Sequence, residues 1–89
     1  MYRLRLTPGA QREFDKIQDR YVERIEGAIR KLAENPRPRG VKKLREHTYR
    51  IRTGDWRIIY AVFDREGLVI VGRIDRRSKD TYSDLEGLF

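Results

Sequence analysis

The chain contains no cysteine, which excludes a disulfide framework and a thiolate zinc site. It has one histidine, His47, so a ribonuclease mechanism built on two histidines is excluded as well. No apolar run approaches the roughly 20 residues of a bilayer span, and the N-terminus lacks the h-region of a signal peptide. A cytoplasmic protein without membrane contact is expected. Carboxylates are the minority charge, 14 against 21 basic residues, and they are scattered. Asp55 and Asp64 fall in turns, and Glu13, Glu23 and Glu26 fall on helix faces. No two stand at a spacing that would clearly hold Mg²⁺, so two-metal nuclease chemistry is not expected. There is no Ser-His-Asp set, no Cys-His set, and no glycine-rich phosphate loop ahead of a helix. Neither a metal nor a cofactor is expected.

What the chain does have is positive charge. The 89 residues carry a formal +7, with a pI near 10.1. An acidic partner follows: nucleic acid, an anionic membrane or an acidic protein. A membrane surface would call for a basic amphipathic helix, whereas the densest basic clusters fall on strands and loops. Length suits one domain, and a 38% hydrophobic share can build one modest core.

The organising stretch is Tyr49 to Tyr60, where apolar and basic residues alternate on both sides of Gly54-Asp55. Period-two alternation marks a strand with two unlike faces. A two-residue loop with glycine first suits a type II′ turn, which fixes the register of a β-hairpin. Thr53 then opposes Trp56, Arg52 opposes Arg57, and Arg50 opposes Ile59. Cross-strand partners share a face. One face carries Tyr49, Ile51, Trp56, Ile58 and Tyr60; the other carries Arg50, Arg52 and Arg57. Three arginines on one face repel each other, and an anionic partner would relieve that. Guanidinium matches phosphate and stays charged at every relevant pH. A merely solvated basic face is the alternative.

Around the hairpin the elements read in order. Tyr2 to Leu6 is a first strand with Leu4 and Leu6 facing inward. Thr7-Pro8 starts a helix, with Thr7 as N-cap and proline at the first helical position. That helix is expected to end near Gln18 to Arg20. A second runs from about Tyr21 to Glu34, with Tyr21, Ile25, Ala28, Ile29 and Leu32 as its apolar stripe. The two read as an antiparallel pair, and Gly27 suggests a close helix–helix contact. The stretch 35–40 is a loop, and Val41 and Leu44 anchor a basic segment after it. The hairpin's second strand continues through Phe63. The stretch 64–67 is a turn, and Leu68 to Ile74 is a central strand. An even loop between these strands puts Ile74 and Arg76 on the Arg57 face; an odd one puts Arg77 there. Ser83 to Glu86 is a capping-box pattern, so a short C-terminal helical turn is expected. The fold class is α+β: an N-terminal strand, a two-helix hairpin, then a three-stranded antiparallel sheet, in one domain spanning 1–89.

An arginine cluster can stabilise the extra charge of a pentavalent phosphorane without a metal. A tyrosine whose pKa is lowered by nearby cations can deprotonate a ribose 2′-OH. Tyr82 is the candidate, and an aromatic anchor for the C-terminal segment is its alternative reading. The residues permit metal-free RNA cleavage; they do not demand it.

The run at 49–60, Lys43-Leu44 before it and Arg76-Arg77-Ser78-Lys79-Asp80-Thr81-Tyr82 after it resemble the signature of the RelE/ParE toxin superfamily. The resemblance covers nearly the whole chain. It implies a small RelE-like domain acting as the toxin of a toxin–antitoxin module, with an acidic antitoxin as partner. The RelE branch cuts mRNA in the ribosomal A site through the 2′-OH. By motif position, Arg50 and Arg52 match the pair that holds the reacting phosphate. Arg57 matches the transition-state arginine, Tyr82 the general base, and Arg76 the residue that protonates the leaving group, with Arg77 as the near alternative. Lys42, Lys43, Arg45, Arg77 and Lys79 are candidates for RNA-backbone contacts. The well-known RelE pattern has lysines where this chain has Arg50 and Arg52, which favours phosphate binding over proton transfer at those sites. The ParE branch shares the fold and inhibits DNA gyrase. Such an inhibitor, or a plain RNA-binding module, is the competing reading.

Overall fold

The computed structural model describes residues 1–76 and Phe89. Five strands and two helices follow in the order β1 (Arg3–Leu6), α1 (Pro8–Asp15), α2 (Asp19–Glu34), β2 (Lys42–Arg45), β3 (Thr48–Thr53), β4 (Trp56–Phe63) and β5 (Leu68–Arg76). The strands form one sheet in the order β1-β5-β4-β3-β2. The sheet is therefore five-stranded and mixed, where three antiparallel strands were expected. β1 joins it in parallel with β5, Arg3 opposite Leu68 and Leu6 opposite Val71. The basic segment after the loop is itself a strand, β2, paired antiparallel with β3.

The hairpin forms in the expected register, with Thr53 opposite Trp56, Arg52 opposite Arg57 and Arg50 opposite Ile59. Gly54 takes φ +62° and Asp55 does not share a positive φ, the combination of a type II′ turn. A Cβ at Gly54 would come within 2.7 Å of the Arg24 guanidinium. That side chain can move, but the positive φ cannot be relieved as easily. Gly54→Ala should cost about 1–2 kcal/mol, read as a fall of several degrees in Tm; an unchanged melt would refute the turn assignment.

Thr7 caps α1 as expected. Its Oγ1 accepts from the Ala10 N–H at 3.1 Å, and its own N–H donates to Val71 O at 2.9 Å, which ties the helix start to β5. α1 stops at Asp15, three residues short of the expected end, and α2 begins two residues early at Asp19. Both helices pack chiefly on the sheet rather than on each other: α1 on β5 and β1, α2 on β1, β3 and β5. Gly27 accordingly makes no close helix contact, since a Cβ there would meet nothing within 4 Å.

The helices cover the face of Tyr49, Ile51, Ile58, Tyr60 and Val62. Ala10, Ile17, Ile25, Ile29 and Leu32 from the helical half complete the core with Val69, Val71 and Ile74. Each such aliphatic side chain, taken fully out of water, contributes about 1.5–3 kcal/mol. Tyr60 lies at its centre, and its hydroxyl donates to Pro36 O at 2.6 Å. Burial holds the Tyr60 phenol well above its ordinary pKa, so it remains a neutral donor. The expected C-terminal turn at 83–86 lies outside the described residues.

Candidate nucleic-acid interface

The sheet face turned away from the helices carries the hairpin arginines. Parity along the strands puts Arg50 and Arg52 of β3 there with Arg57 of β4. Lys42 opposes Arg50 and Arg45 opposes Thr48, so both join this face; Lys43 opposes Tyr49 and goes to the helix side. Leu44 is the extra residue of a bulge between Lys43 and Arg45. Arg73 of β5, opposite Ile59, completes the basic set.

β5 does not behave as its loop length implies. Four residues separate β4 from β5, an even loop, and the register runs regularly from Phe63–Leu68 to Tyr60–Val71. It then shifts: Ile59 opposes Arg73, so Gly72 is an extra residue, a β-bulge. Beyond it every β5 side chain changes face. Asp75, not Arg76, lies opposite Arg57, and Arg76 lies opposite Trp56 on the helix side. The expectation that Ile74 and Arg76 accompany Arg57 is thereby overturned. Ile74 pairs with Ile58 and is buried in the core.

Asp75 is the only acidic residue in the five strands. It grips Arg57 in a fork: Nε donates to one carboxylate oxygen at 3.1 Å and an Nη to the other at 3.3 Å. The Arg57 side chain is 4% exposed and Asp75 31%. Arg73 Nε lies 3.9 Å from the same carboxylate. Arg57 is thus a buried, oriented cation, unlike Arg52 beside it, which is exposed. Ile59 and Ala61, next along this face, are also buried. Sequence reasoning missed Asp75; a glycine inside a strand pattern is the signal for a bulge that would have brought it opposite Arg57.

Arg76 finds aromatic partners instead. Its guanidinium lies 4.9 Å from the Tyr21 ring centroid and 5.4 Å from that of Trp56. Tyr82, Arg77 and Lys79 lie outside the described residues.

A second cluster acts structurally. Arg37 donates to both Asp64 oxygens, at 3.2 and 2.9 Å, and through Nε to the Tyr49 hydroxyl at 3.0 Å. Tyr2 OH donates to Asp64 at 2.6 Å. The loop after α2, the chain start, β3 and the β4–β5 turn are thereby joined. Arg37, then Tyr2, hold the Asp64 carboxyl below its ordinary pKa. Stability from this cluster is present above the ordinary carboxylate pKa and is lost as pH falls through the depressed value. Asp64→Asn should therefore flatten the acid limb of a Tm-against-pH curve below about pH 4. An identical limb in both proteins would refute the linkage.

Among the described residues no group of histidines and carboxylates could hold a metal ion, and no helix is long and apolar enough to cross a membrane. A cavity of about 800 Å³ lies between α2 and the end of β3, beside Gly27, Ala28 and Leu32. It borders Arg50 and Arg52 without containing Arg57.

A small α+β domain with a mixed sheet, two helices on one face and a basic hairpin on the other is the architecture of the RelE-like toxins. Residues 4–81 match the family model described as the ParE toxin of the type II toxin–antitoxin system parDE. The chain belongs to that family, within the RelE/ParE superfamily, and is a toxin of the type II toxin–antitoxin class. Solved structures agree on the fold. The RelBE2 toxin–antitoxin complex of Mycobacterium tuberculosis is similar at 29% identity over 85% of this chain and 98% of that one, with a TM-score of 0.75. The RelE–RelB complex of Pyrococcus horikoshii is similar at 23% identity, covering 89% and 98%, with a TM-score of 0.79. The isolated Escherichia coli RelE toxin is similar at 24% identity, covering 90% and 88%, with a TM-score of 0.77. No curated protein matches the sequence.

Proposed function

We propose that this toxin is a metal-independent endoribonuclease that cuts mRNA in the ribosomal A site through the ribose 2′-OH. The observation that carries the reading is the row of Arg50, Arg52 and Arg57 on one sheet face, with Arg52 and Arg57 directly paired across strands. The phosphorane gains charge only in the transition state, and fixed cations stabilise it without reorganising. Arg57 suits that role because Asp75 fixes its orientation in advance. Arg50 and Arg52 hold the phosphate, and Tyr82 takes the 2′-OH proton as the 2′-oxygen bonds to phosphorus; the P–O5′ bond breaks, the 5′-oxygen takes a proton from water, and a 2′,3′-cyclic phosphate is left. Arg76 is not assigned to this chemistry, because it lies on the other face. Lys42 and Arg45, on the same face, extend the track for RNA phosphates. The partner that neutralises the toxin is an acidic antitoxin, as the +7 charge favours. Two of the similar solved structures are toxin–antitoxin complexes.

A second reading has its own support. The matching family model is that of ParE, and the Arg57 fork is already engaged by Asp75. Under it the protein inhibits DNA gyrase and cuts nothing. Primer extension on a reporter mRNA, with purified protein and with or without programmed ribosomes, separates the two. Cuts at A-site codons only when ribosomes are present support the endoribonuclease. Intact mRNA from protein that still stops growth, with gyrase-dependent DNA breaks, supports the gyrase inhibitor.

A further inference from the structure

Where α1 meets α2, a cavity of about 230 Å³ is lined by Lys16, Ile17, Gln18, Arg20, Tyr21, Trp56 and Arg76. Three of these seven residues are cations and, among the described residues, none is a carboxylate. Lys16, Arg20 and Arg76 are all exposed. None of the three forms an ion pair among the described residues. Arg20 and Arg76 each lie 4.9 Å from the centroid of the same ring, Tyr21. Two like charges against one ring repel each other, and the third cation adds to the repulsion. The ring contacts stabilise the two arginines modestly but leave the mutual repulsion of the three cations, and an anion seated among them would be attracted by all of them. Tyr21 and Trp56 pack with ring centroids 5.6 Å apart and form an apolar wall. The Trp56 Nε1–H is buried without an acceptor among the described residues, a donor that ordinarily finds a partner.

We propose that this cavity is a second phosphate-binding subsite, for the backbone of a single RNA strand. Cations combined with aromatic side chains are how single strands are held without sequence preference. The register supports one continuous strand: the Trp56–Arg76 rung of the sheet adjoins the Arg57–Asp75 rung, so the cavity and the hairpin arginines lie on opposite faces at neighbouring positions. An RNA bound at Arg50 and Arg52 passes over the hairpin tip and places a further phosphate among Lys16, Arg20 and Arg76. That the strand is RNA rests on the endoribonuclease reading; the anion site rests on the geometry alone.

Trp56 is the only tryptophan, so its fluorescence reports on this cavity without a label. The experiment titrates inorganic phosphate, then a 5′-phosphorylated uridine hexanucleotide, into the wild-type protein and into the double variant Lys16→Glu/Arg20→Glu. Both positions are exposed and neither belongs to the cleavage site, so the variant should fold, as circular dichroism will check. The hexanucleotide should change Trp56 fluorescence in the wild type. The double variant should bind it about tenfold more weakly, and the slope of log K against log salt should flatten by about 1.4, two phosphate contacts for a single strand. Equal affinity and equal salt slope in the two proteins would overturn the subsite. So would a fluorescence change with poly-glutamate but none with RNA, which would make the cavity a protein contact. Lost binding in the double variant, from a wild type that cuts no mRNA, would keep the subsite and remove the cleavage reading. Normal cleavage with unaltered binding in the double variant would do the reverse.

Discussion

Arg57→Ala is expected to destabilise the protein by about 2–4 kcal/mol. Removing one partner of a buried ion pair costs about 3–5 kcal/mol, because the charge left behind has lost its compensation. Here the remaining partner, Asp75, keeps 31% of its side-chain surface, and water offsets part of the loss. Arg73, at 3.9 Å, offsets a little more. The check is a double-mutant cycle with Asp75→Asn, read by urea unfolding. The two changes should fall short of additive by about 1–3 kcal/mol; strict additivity would mean the fork contributes nothing. The same fact limits what Arg57→Ala can say about chemistry. Lost toxicity in that variant reports folding and catalysis together, so it must be read beside its melting curve.

Tyr82→Phe carries the second large effect. If Tyr82 removes the 2′-OH proton, ribosome-dependent cleavage should fall by about 10²–10⁴, the usual contribution of a positioned base. Binding to programmed ribosomes should hardly change, since only a hydroxyl is lost. Arg52→Ala is its companion. Arg52 is exposed, so stability should move by no more than about 0.5 kcal/mol. Cleavage should fall by about 10²–10³, as when one preorganised donor to the transition state is removed. Primer extension at matched protein and ribosome concentrations reads both. Near-wild-type cutting by either variant would remove that residue from the mechanism.

The hairpin was legible because its signals are local. Alternation from Tyr49 to Tyr60 and one glycine with positive φ specify which side chains share a face, and nothing distant alters that. The cap at Thr7 was legible for the same reason. β2 was not, because a four-residue edge strand of three cations and one leucine has no apolar alternation to betray it. Its charge instead protects the sheet edge from pairing with other chains. The parallel pairing of β1 with β5 joins residues more than 60 positions apart, and no local pattern encodes it. The site was half legible. Arg50, Arg52 and Arg57 came together as their spacing required. Arg76 went elsewhere because the single extra residue Gly72 reversed the parity of the rest of β5. Asp75 was hidden by the same shift.

The β1–β5 pairing also sets a timetable. Arg3 to Leu6 can find partners only when Leu68 to Val71 are free to pair, so β1 waits for β5. Loop-closure entropy opposes that contact until the intervening sheet exists to support it. During translation, the parallel edge of the sheet cannot close until Leu68 to Val71 have left the ribosome. Because β1 and the start of α1 both hang from β5, the nascent chain lacks its finished sheet until β5 has been made. A protein of the toxin class is thereby kept incomplete until its fifth strand has joined the first.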